Sequence, residues 1–581
     1  MGHEHGSAHG HSHTHGHSQT HGHGHPHSHS HDNPDSEPLP PALDPAVPTS
    51  ELPPAAVDRR RFLRSAGLLG AGAAVLGVTA STGIGSAAAS PLGGRGSGRV
   101  PRGGYTWLAG DHHIHTQFSS DGQYRVIDQV RHANAYGLDW VVITDHGSEV
   151  HARIGVEKVN PDIVAARRDT PDTLVFQGLE WNIPAAEHGT VFVHPGRNEV
   201  AVLKQFEVDY DGSPLATAAL NEQRAIQGLH FLAGSVSRRR VQDALMLANH
   251  PARKGIDSPH EIRGWRDAEP RIAIGMEGAP GHQAAGMPKA YGPGGGRGYY
   301  DGSPGPGSFP GYPLESYRTF GGFDWMTSTV GGLWDSLLAE GKPWWISANS
   351  DSHSVYADTS VRGENTFATA GRYGEPTYRT AGPNLGSGDF WPGYYSRTHV
   401  GATDFSYAAV MDGLRAGRVW VDHGRLLESL DVRLRAGNRE VPLGGMLTAR
   451  RGSQVELVIT VVPADTPNWS ELLPRLAKID VIRGAVTGPV GDRDVFTAPR
   501  TRVDQTFDVR GRTGEIRISY PLGRLDEAFY VRLRGSDGNR LAPGLLGAAV
   551  DPAGPAQDVV GDADPWQDLW FYTNPMWAIP A

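Results

Sequence analysis

Short β-rich runs alternate with helical patterns between Tyr105 and about Gly424, and the runs repeatedly end on histidine or an acid. Such alternation predicts an α/β architecture. The segment YRVIDQVRHANAYGL carries an apolar stripe at helical spacing that ends at Gly137, so we expect a helix there. The next run, DWVVITDH, is predicted to be a buried strand, and similar strands end at QGLE, LANH and ANSDSH. These polar strand ends predict one shared site.

The pattern changes beyond Gly424, where strands follow one another without helices between them. The runs SLDVRLRAG, SQVELVITV, KIDVIRG, GEIRISY and AFYVRLRGSDG are β-branched or alternate apolar with polar residues. We therefore predict two folded units, an α/β domain over 105–424 and an all-β, sandwich-like domain over 425–581. The aromatic C-terminal segment is expected to pack back onto the body, and the Gly/Pro-rich insertion from Gly278 to Pro313 is expected to be a loop over one face.

The N-terminal 57 residues lack the apolar side chains that a core needs, and 13 of the 28 histidines lie before Asn33. We expect this His-rich and then Pro-rich tract to be disordered.

Residues 58–90 have the pattern of a twin-arginine signal peptide, with Arg59 and Arg60 ahead of a weakly apolar Ala/Gly/Leu run. Cleavage near Ala89, followed by a linker over 91–104, predicts a secreted or extracytoplasmic protein and a partner in the twin-arginine export machinery. A transmembrane anchor is the alternative, but the Gly and Ala content of the run argues against a permanent span.

Charge and cysteine content narrow the chemistry. The net charge of -10 gives no reason to expect nucleic acid as a partner, because phosphate backbones are bound by clustered Lys and Arg. The chain has no cysteine, so thiolate ligands and disulfides are excluded. Any bound metal must be held by His, Asp and Glu, and this donor set suits Zn, Mn or Fe in hydrolytic sites.

The segment GDHHIHTQFSSDG, from Gly110 to Gly122, predicts a metal site. Side chains alternate along a strand, so His113 and His115 share a face and His112 points the opposite way. An HxH pair is weak evidence alone, and the other strand ends strengthen it. They supply the following residues of metal-binding type: Asp145, His146, Glu180, His188, His250, Asp351 and His353.

Taken in order, HxHT with a following SDG, then TDH, a strand-final Glu with a histidine downstream, HP and SDxH resemble the motifs of the polymerase and histidinol phosphatase (PHP) family of metallohydrolases. The resemblance covers about 105–425. The stretches LLAEGKPWWISANSDSH, FWPGYYSRTHV, LRAGRVWVDHG and WFYTNP also resemble a carbaryl-hydrolase-like branch, the CehA/McbA group. The resemblance implies a distorted seven-stranded, TIM-like β/α barrel with its ligands at the C-terminal strand ends. It also implies two or three Zn, Mn or Fe ions.

The resemblance further implies how the ligands divide among three ions. His113 and His115 would hold the first metal with Glu180 and Asp351. Glu180 would bridge to a second metal, completed by His188 and His250. Asp121, His146 and His353 would hold the third. A hydroxide bridging two such ions is the expected nucleophile.

Some of these role assignments have alternatives. His194 lies six residues after His188 and would share its strand face. The resemblance favours His188, because the histidine of the family opens a short apolar run, as HGTVFV does here. Arg253 and Lys254 follow His250 and either contact an anionic substrate oxygen or are solvated loop charges. Glu277, at the end of IAIGME, either lines the site or is solvated. Other single histidines are expected at the surface or hydrogen-bonded in the core, namely His112, His151, His230, His260, His282, His399 and His423.

The sequence therefore predicts a secreted metal-dependent hydrolase, with a phosphoesterase acting on phosphomonoesters or phosphodiesters as the leading interpretation. The same site would serve a carboxylic ester or carbamate hydrolase, because metal-activated water attacks either bond. A noncatalytic metal-containing protein of the cell envelope is a third interpretation. It requires closed coordination, whereas the ligand set expected here leaves positions open.

Overall fold

The structure is a computed structural model that describes residues 101–102, 104–215, 220–288, 291–292 and 294–581. The predicted N-terminal tract, signal peptide and most of the linker lie outside these residues. Two residues of the predicted linker are instead a short strand, β1 (Pro101–Arg102), which pairs antiparallel with the strand that follows it.

Seven neighbouring strands form the part of the main sheet that carries the predicted motifs, in the order in which they occur along the chain. They are β2 (Tyr105–Asp111), β3 (Trp140–Ile143), β4 (Leu174–Asn182), β5 (His188–Val193), β6 (Ala244–Ala248), β7 (Ala273–Ala279) and β8 (Trp345–Ala348). Neighbours pair in parallel except at β5, which is antiparallel to both β4 and β6. Every strand residue from Ala244 to Ala248 and from Ala273 to Ala279 is buried, as expected for strands covered on both faces.

Helices lie between these strands in the sequence, and the expected α/β architecture is confirmed. They are α1 (Val126–Ala135), α2 (Val156–Asp169), α3 (Glu199–Tyr210), α4 (Glu222–Ser237), α5 (Pro259–Ala268), α6 (Trp325–Ser328) and α7 (Leu333–Ala339). The first of them is the helix predicted from the apolar stripe. It buries Val126, Val130 and Ala133, and the chain leaves it at Gly137, whose φ of 85° favours glycine.

The first and last of the seven strands meet just beyond their C-terminal ends. Ile114 and Ser352 form an isolated parallel bridge, and the backbone N–H of His115 donates to the carbonyl of Ser352 at 3.0 Å. This contact places the HxH segment after β2 beside the SDSH segment after β8. A closed seven-stranded barrel is consistent with this contact and stays a prediction.

The chain then continues through three short elements, β9 (Ser360–Val361), α8 (Phe367–Ala370) and β10 (Thr377–Tyr378). Two longer strands with a helix between them follow, namely β11 (Ser396–Ala402), α9 (Tyr407–Arg415) and β12 (Val419–His423). Strand β11 pairs antiparallel with both β2 and β12, which extends the main sheet on the side opposite to β3.

The C-terminal region is rich in β-structure, as predicted. Its strands are β13 (Leu427–Ala436), β14 (Arg439–Val441), β15 (Met446–Ala449), β16 (Gln454–Pro463), β17 (Lys478–Ala485), β18 (Thr501–Asp508), β19 (Ile516–Arg524), β20 (Phe529–Ser536), β21 (Leu541–Ala542), β22 (Gly554–Pro555), β23 (Trp570–Thr573) and β24 (Met576–Pro580). One sheet contains β13, β14, β16 and β19. Strands β21 and β22 pair with each other in a two-stranded sheet. The other strands of this region belong to the main sheet, because β23 pairs with both β12 and β20.

The C-terminal aromatic segment packs back onto the body, as expected. Trp570, Phe571 and Tyr572 are buried, and the Nε1–H of Trp577 donates to the carbonyl of Leu338. Within the part of the chain that the structure describes, the helices are too short or too polar to cross a membrane.

Candidate metal centre

The predicted ligands converge at the C-terminal ends of the strands. His113 and His115 follow β2, His146 follows β3, Glu180 lies in β4, His188 opens the antiparallel β5, and His250 follows β6. Asp351 and His353 follow β8. Parallel strands direct their carboxyl ends to one edge, and the antiparallel β5 brings its first residue to the same edge.

Backbone conformation at the site is unusual. His250, Asp351 and His282 have φ values of 31°, 48° and 53°, in a region that residues with a Cβ rarely adopt. Backbone strain of this kind concentrates at functional sites, where the surrounding structure enforces it. The strain at His250 and Asp351 falls on two side chains that face the cluster.

A four-residue cluster forms the centre of the site and matches the set expected for the first metal. Asp351 Oδ1 lies 3.1 Å from both His113 Nε2 and His115 Nε2. Glu180 lies 3.2 Å from His113 Nε2 through Oε1 and 3.3 Å from His115 Nε2 through Oε2. All four side chains are buried, and their four donor atoms lie within 4.8 Å of one another.

The donor atoms of this cluster fit a metal ion better than they fit one another. His115 Nε2 and Asp351 Oδ1 are buried and 3.1 Å apart, yet neither takes part in a hydrogen bond to any described residue. Buried polar atoms are rarely left without a partner. Imidazole nitrogens and carboxylate oxygens that converge without hydrogen-bond geometry are typical of a divalent-cation site.

A second group surrounds the other side of Glu180. Glu180 Oε1 lies 3.0 Å from His188 Nδ1 and 3.2 Å from His250 Nε2, so Glu180 is placed to bridge, as the resemblance implies. His146 belongs to this side, because its ligand atom groups with those of Glu180 and His188. The resemblance implies instead that His146 shares a third metal with Asp121 and His353, and that assignment stays a prediction. Glu187, which the sequence analysis did not single out, forms a further group with His188 and His250.

A third group contains His115, Asp121 and His353. His353 Nε2 lies 3.4 Å from Asp121 Oδ2, and the rings of His115 and His353 stack with centroids 3.7 Å apart. The Ser119 hydroxyl donates to Asp121 and also contacts His115 Nδ1 and the His146 backbone N–H. The loop that carries SSDG therefore connects this group to the central cluster.

His282 lies in the site, although single histidines were expected elsewhere. Its Nε2 is 2.8 Å from Asp351 Oδ2 and its Nδ1 is 2.5 Å from Asp389 Oδ1. It comes from the Gly/Pro-rich insertion, and no periodicity or motif in that insertion indicates where its side chains lie. Asp389 also accepts the backbone N–H groups of His353 and Ser354.

Glu277 is buried beneath the cluster and is not solvated. Its Oε1 lies 2.7 Å from His113 Nδ1, and its Oε2 accepts the backbone N–H of His250 at 2.7 Å. A carboxylate on one ring nitrogen fixes the tautomer of a histidine and turns the other nitrogen toward the metal. Glu277 therefore directs His113 Nε2 at the central cluster.

Electrostatics separate the histidines into two kinds. Burial lowers the pKa of His250 to about 3 and, together with the neighbouring His353, that of His115 to about 4, so both are neutral and able to donate a lone pair. Burial also opposes a charge on His353, but Asp121 and Asp351 outweigh it and raise its pKa to about 10. The carboxyl of Glu180 has a pKa well below its usual value, because His113, His188 and His146 outweigh its burial.

A cavity of about 380 Å³ opens above the cluster, and Arg253 forms part of its wall. Arg253 Nε is buried and has no hydrogen-bond partner in the described chain, and Arg253 Nη2 lies 3.9 Å from Glu187 Oε2. Lys254 points elsewhere, since its ammonium pairs with Glu187 Oε1 at 2.9 Å and its side chain is half exposed. Tyr299 and Ser387 also line this cavity.

The remaining sequence candidates lie outside the cluster. His194 Nδ1 contacts the carbonyl of Pro195, and His194 lines a different cavity. His112 points away from the cluster, as expected, and contacts Thr190 and Ser347. Strand alternation is not the reason, because β2 ends at Asp111, one residue earlier. Asp145 accepts from the backbone and hydroxyl of Thr116, and burial raises its pKa to about 6.

Four other histidines have carboxylate partners, namely His151, His230, His260 and His399. His423 is buried between the rings of Phe323 and Tyr395.

Comparison with known proteins agrees with this geometry in part. Residues 111–259 match the sequence model of the PHP domain family, which confirms the predicted resemblance for that segment. Among solved structures, a two-domain protein from Bacteroides vulgatus, described as containing a predicted PHP-like metal-dependent phosphoesterase, is 15% identical with a TM-score of 0.32. The match covers 80% of this chain and 97% of that chain, and at this TM-score it supports no further argument. No curated protein matches the chain significantly.

Proposed function

We propose that this protein is a metal-dependent hydrolase of the PHP type that cleaves phosphoesters at the cluster of His113, His115, Glu180 and Asp351. The observation that carries the proposal is the convergence of buried donor atoms without hydrogen-bond geometry, between His115 Nε2 and Asp351 Oδ1 above all. Two or three divalent ions, Zn, Mn or Fe, suit these donors. Such ions, when bound, lower the pKa of water and stabilise the attacking and leaving oxygens of a displacement.

The protein's own residues favour an anionic substrate. Arg253 lines the cavity with a guanidinium whose Nε has no partner, and a buried guanidinium in this position favours a phosphoryl oxygen. Glu277 holds His113 in the required tautomer, and Asp389 orients His282 and the backbone of His353. Tyr299 and Ser387 also line the cavity, whose volume of about 380 Å³ suits a small substrate group.

Export belongs to the same proposal. The pattern around Arg59 and Arg60 supports delivery through the twin-arginine pathway, with cleavage near Ala89. We expect Arg59→Lys combined with Arg60→Lys to keep the protein inside the cell, measured by fractionation. Processing at the normal rate in that variant would rule out this route.

The test of the activity uses the purified exported form. We expect bound divalent metal by elemental analysis, and chelator-sensitive hydrolysis of 4-nitrophenyl phosphate or bis(4-nitrophenyl) phosphate in preference to 4-nitrophenyl acetate. His113→Ala and Asp351→Ala should abolish metal binding and activity, whereas His230→Ala, at an exposed histidine, should retain both. Preferred hydrolysis of the acetate would favour the carboxylic ester or carbamate alternative. Full metal content with no hydrolysis of any ester would favour the noncatalytic alternative.

Arg253 gives a separate test of the phosphoester assignment. We expect Arg253→Gln to raise KM for phosphate esters at least tenfold. Lys254→Gln is the matched control, because the Lys254 side chain is half exposed and does not line the cavity. An unchanged KM in Arg253→Gln would remove the main argument for an anionic substrate.

A further inference from the structure

A cleft of about 730 Å³ lies apart from the metal cavity, and the two share no lining residue. Helices α1 and α2 and the short helix α8 contribute to its walls. Apolar lining comes from Phe118, Ile127, Ile154 and Ala370. The size is within the range of small-molecule sites, which combine an apolar wall with a few polar groups.

Basic side chains outnumber acidic ones in the cleft. Its charged lining consists of Arg125, Arg131, Lys158, Arg372, Asp162, Asp169 and Glu375. Arg125 pairs with Asp128, and Arg372 pairs with Glu375. Asp169 accepts from Arg168, which lies outside the cleft. The charged side chains of Arg131 and Lys158 have no ion pair or hydrogen bond to any residue that the structure describes.

The remaining acid of the lining is Asp162, one carboxylate beside the two cations Arg131 and Lys158. The unpaired charges of the cleft are therefore mainly positive.

The metal-binding loop contributes residues to both the cleft and the metal cavity. Gln117 and Phe118 line the cleft, whereas Asp121 of the same loop lines the metal cavity. Gln117 is buried, and its side-chain Oε1 has no hydrogen-bond partner in the described chain.

We propose that this cleft is a second binding site for an organic anion, a ligand in which a phosphonate, phosphate or carboxylate group is joined to an apolar body. Arg131 and Lys158 bind the anionic group, and Phe118, Ile127 and Ile154 contact the apolar body. The site is independent of the proposed activity, since it requires neither metal nor hydrolysis.

The test uses phenylphosphonate, which has no ester bond to cleave. Titration calorimetry should detect two classes of site in the wild type, the cleft and the metal cavity. Asp351→Ala should retain only the cleft, and Arg131→Gln combined with Lys158→Gln should weaken the cleft at least tenfold while the metal cavity still binds. The matched control is Arg502→Gln combined with Arg517→Gln, which removes the same charge from exposed positions in β18 and β19.

Two results would overturn the proposal. One is loss of all binding in Asp351→Ala with a circular dichroism spectrum like that of the wild type. The other is cleft affinity within twofold of the wild type in the Arg131 and Lys158 double variant. A crystal soaked with phenylphosphonate should show the anion beside Arg131 and Lys158. Density there without saturable binding in solution would mean binding at crystal concentration only, and would also overturn the proposal.

Discussion

Single residues at the site were predictable where chemistry limits the choice. An HxH pair, a strand-final Glu and an SDxH sequence each offer few roles, and the structure brings them within contact distance. Glu277 and His282 were not predictable, because nothing in their local sequence distinguishes a buried partner of a ligand from a solvated side chain. Only the position of His113 Nδ1 and Asp351 Oδ2 gives those two residues their roles.

The first residue-scale prediction concerns Glu277. We expect Glu277→Gln to weaken divalent-metal affinity by about 10 to 100-fold, because the amide no longer fixes the tautomer of His113. Metal titration by calorimetry measures this effect. Glu269→Gln is the control, since Glu269 contacts the exposed His230. Wild-type affinity in Glu277→Gln would show that the contact has no positioning role.

The second concerns a buried ion pair away from the site. Asp422 contacts Arg397 and His399, and although burial raises its pKa, Arg397 and His399 outweigh this and hold the pKa well below its usual value. A lowered folded-state pKa stabilises the fold above the unfolded value, near pH 4, and this contribution is lost as pH falls further. We expect Asp422→Asn to lower the free energy of unfolding by about 3 to 5 kcal/mol at pH 7, with a smaller difference below pH 4.

Denaturant unfolding at pH 7 and at pH 3.5 measures both parts of that prediction. Glu527→Gln is the control, because Glu527 makes an exposed pair with Arg500 and such pairs contribute little. An equal effect of Asp422→Asn at both pH values would contradict the assigned pKa direction.

At the scale of elements, periodicity predicted helix and strand types correctly where the pattern was long. The direction of the strands was not predictable, because the antiparallel β5 has the same kind of apolar run as its parallel neighbours. That reversal decides between two histidines. It brings the first residue of β5, His188, to the ligand edge and leaves His194, beyond the other end, at a different cavity.

The element-scale prediction follows from this reversal. We expect His188→Asn to lower the bound metal by about one ion per chain and to reduce kcat at least 100-fold, whereas His194→Asn should leave both unchanged. Elemental analysis and steady-state assays on the two purified variants measure the contrast. Loss of metal in His194→Asn alone would reverse the assignment.

At the scale of the whole molecule, the C-terminal strands continue the main sheet. Strand β23 pairs with β12, the Asn574 side chain accepts from the backbone of Ile346 in β8, and Arg532 pairs with the buried Asp335. A chain that ends at Gly424 would lose these partners and expose the edge of β12. The predicted boundary near 424 therefore marks a change in sequence pattern, whereas the main sheet contains strands from both sides of it.

The whole-molecule prediction concerns that boundary. We expect residues 105–424 alone to be insoluble or to lack a cooperative thermal transition, and residues 101–581 to unfold in one transition. Differential scanning calorimetry and solubility after expression measure this. A stable, metal-binding fragment of 105–424 would show that the α/β part folds independently.

The sequence by itself determined the α/β class of the first part, the β-rich character of the second, and the residues that could bind metal. It could do so because hydrophobic periodicity and ligand chemistry are local properties. The tertiary structure decided which of those residues lie close enough to hold one ion together, how β5 reverses, and that Glu277, His282 and Arg253 lie at the site. The position of Glu277 depends on a contact with His113, and the HxH and SDSH segments meet through Ile114 and Ser352, more than 100 residues apart in each case. The reversal of β5 depends on its pairing with β4 and β6. No local pattern encodes these contacts.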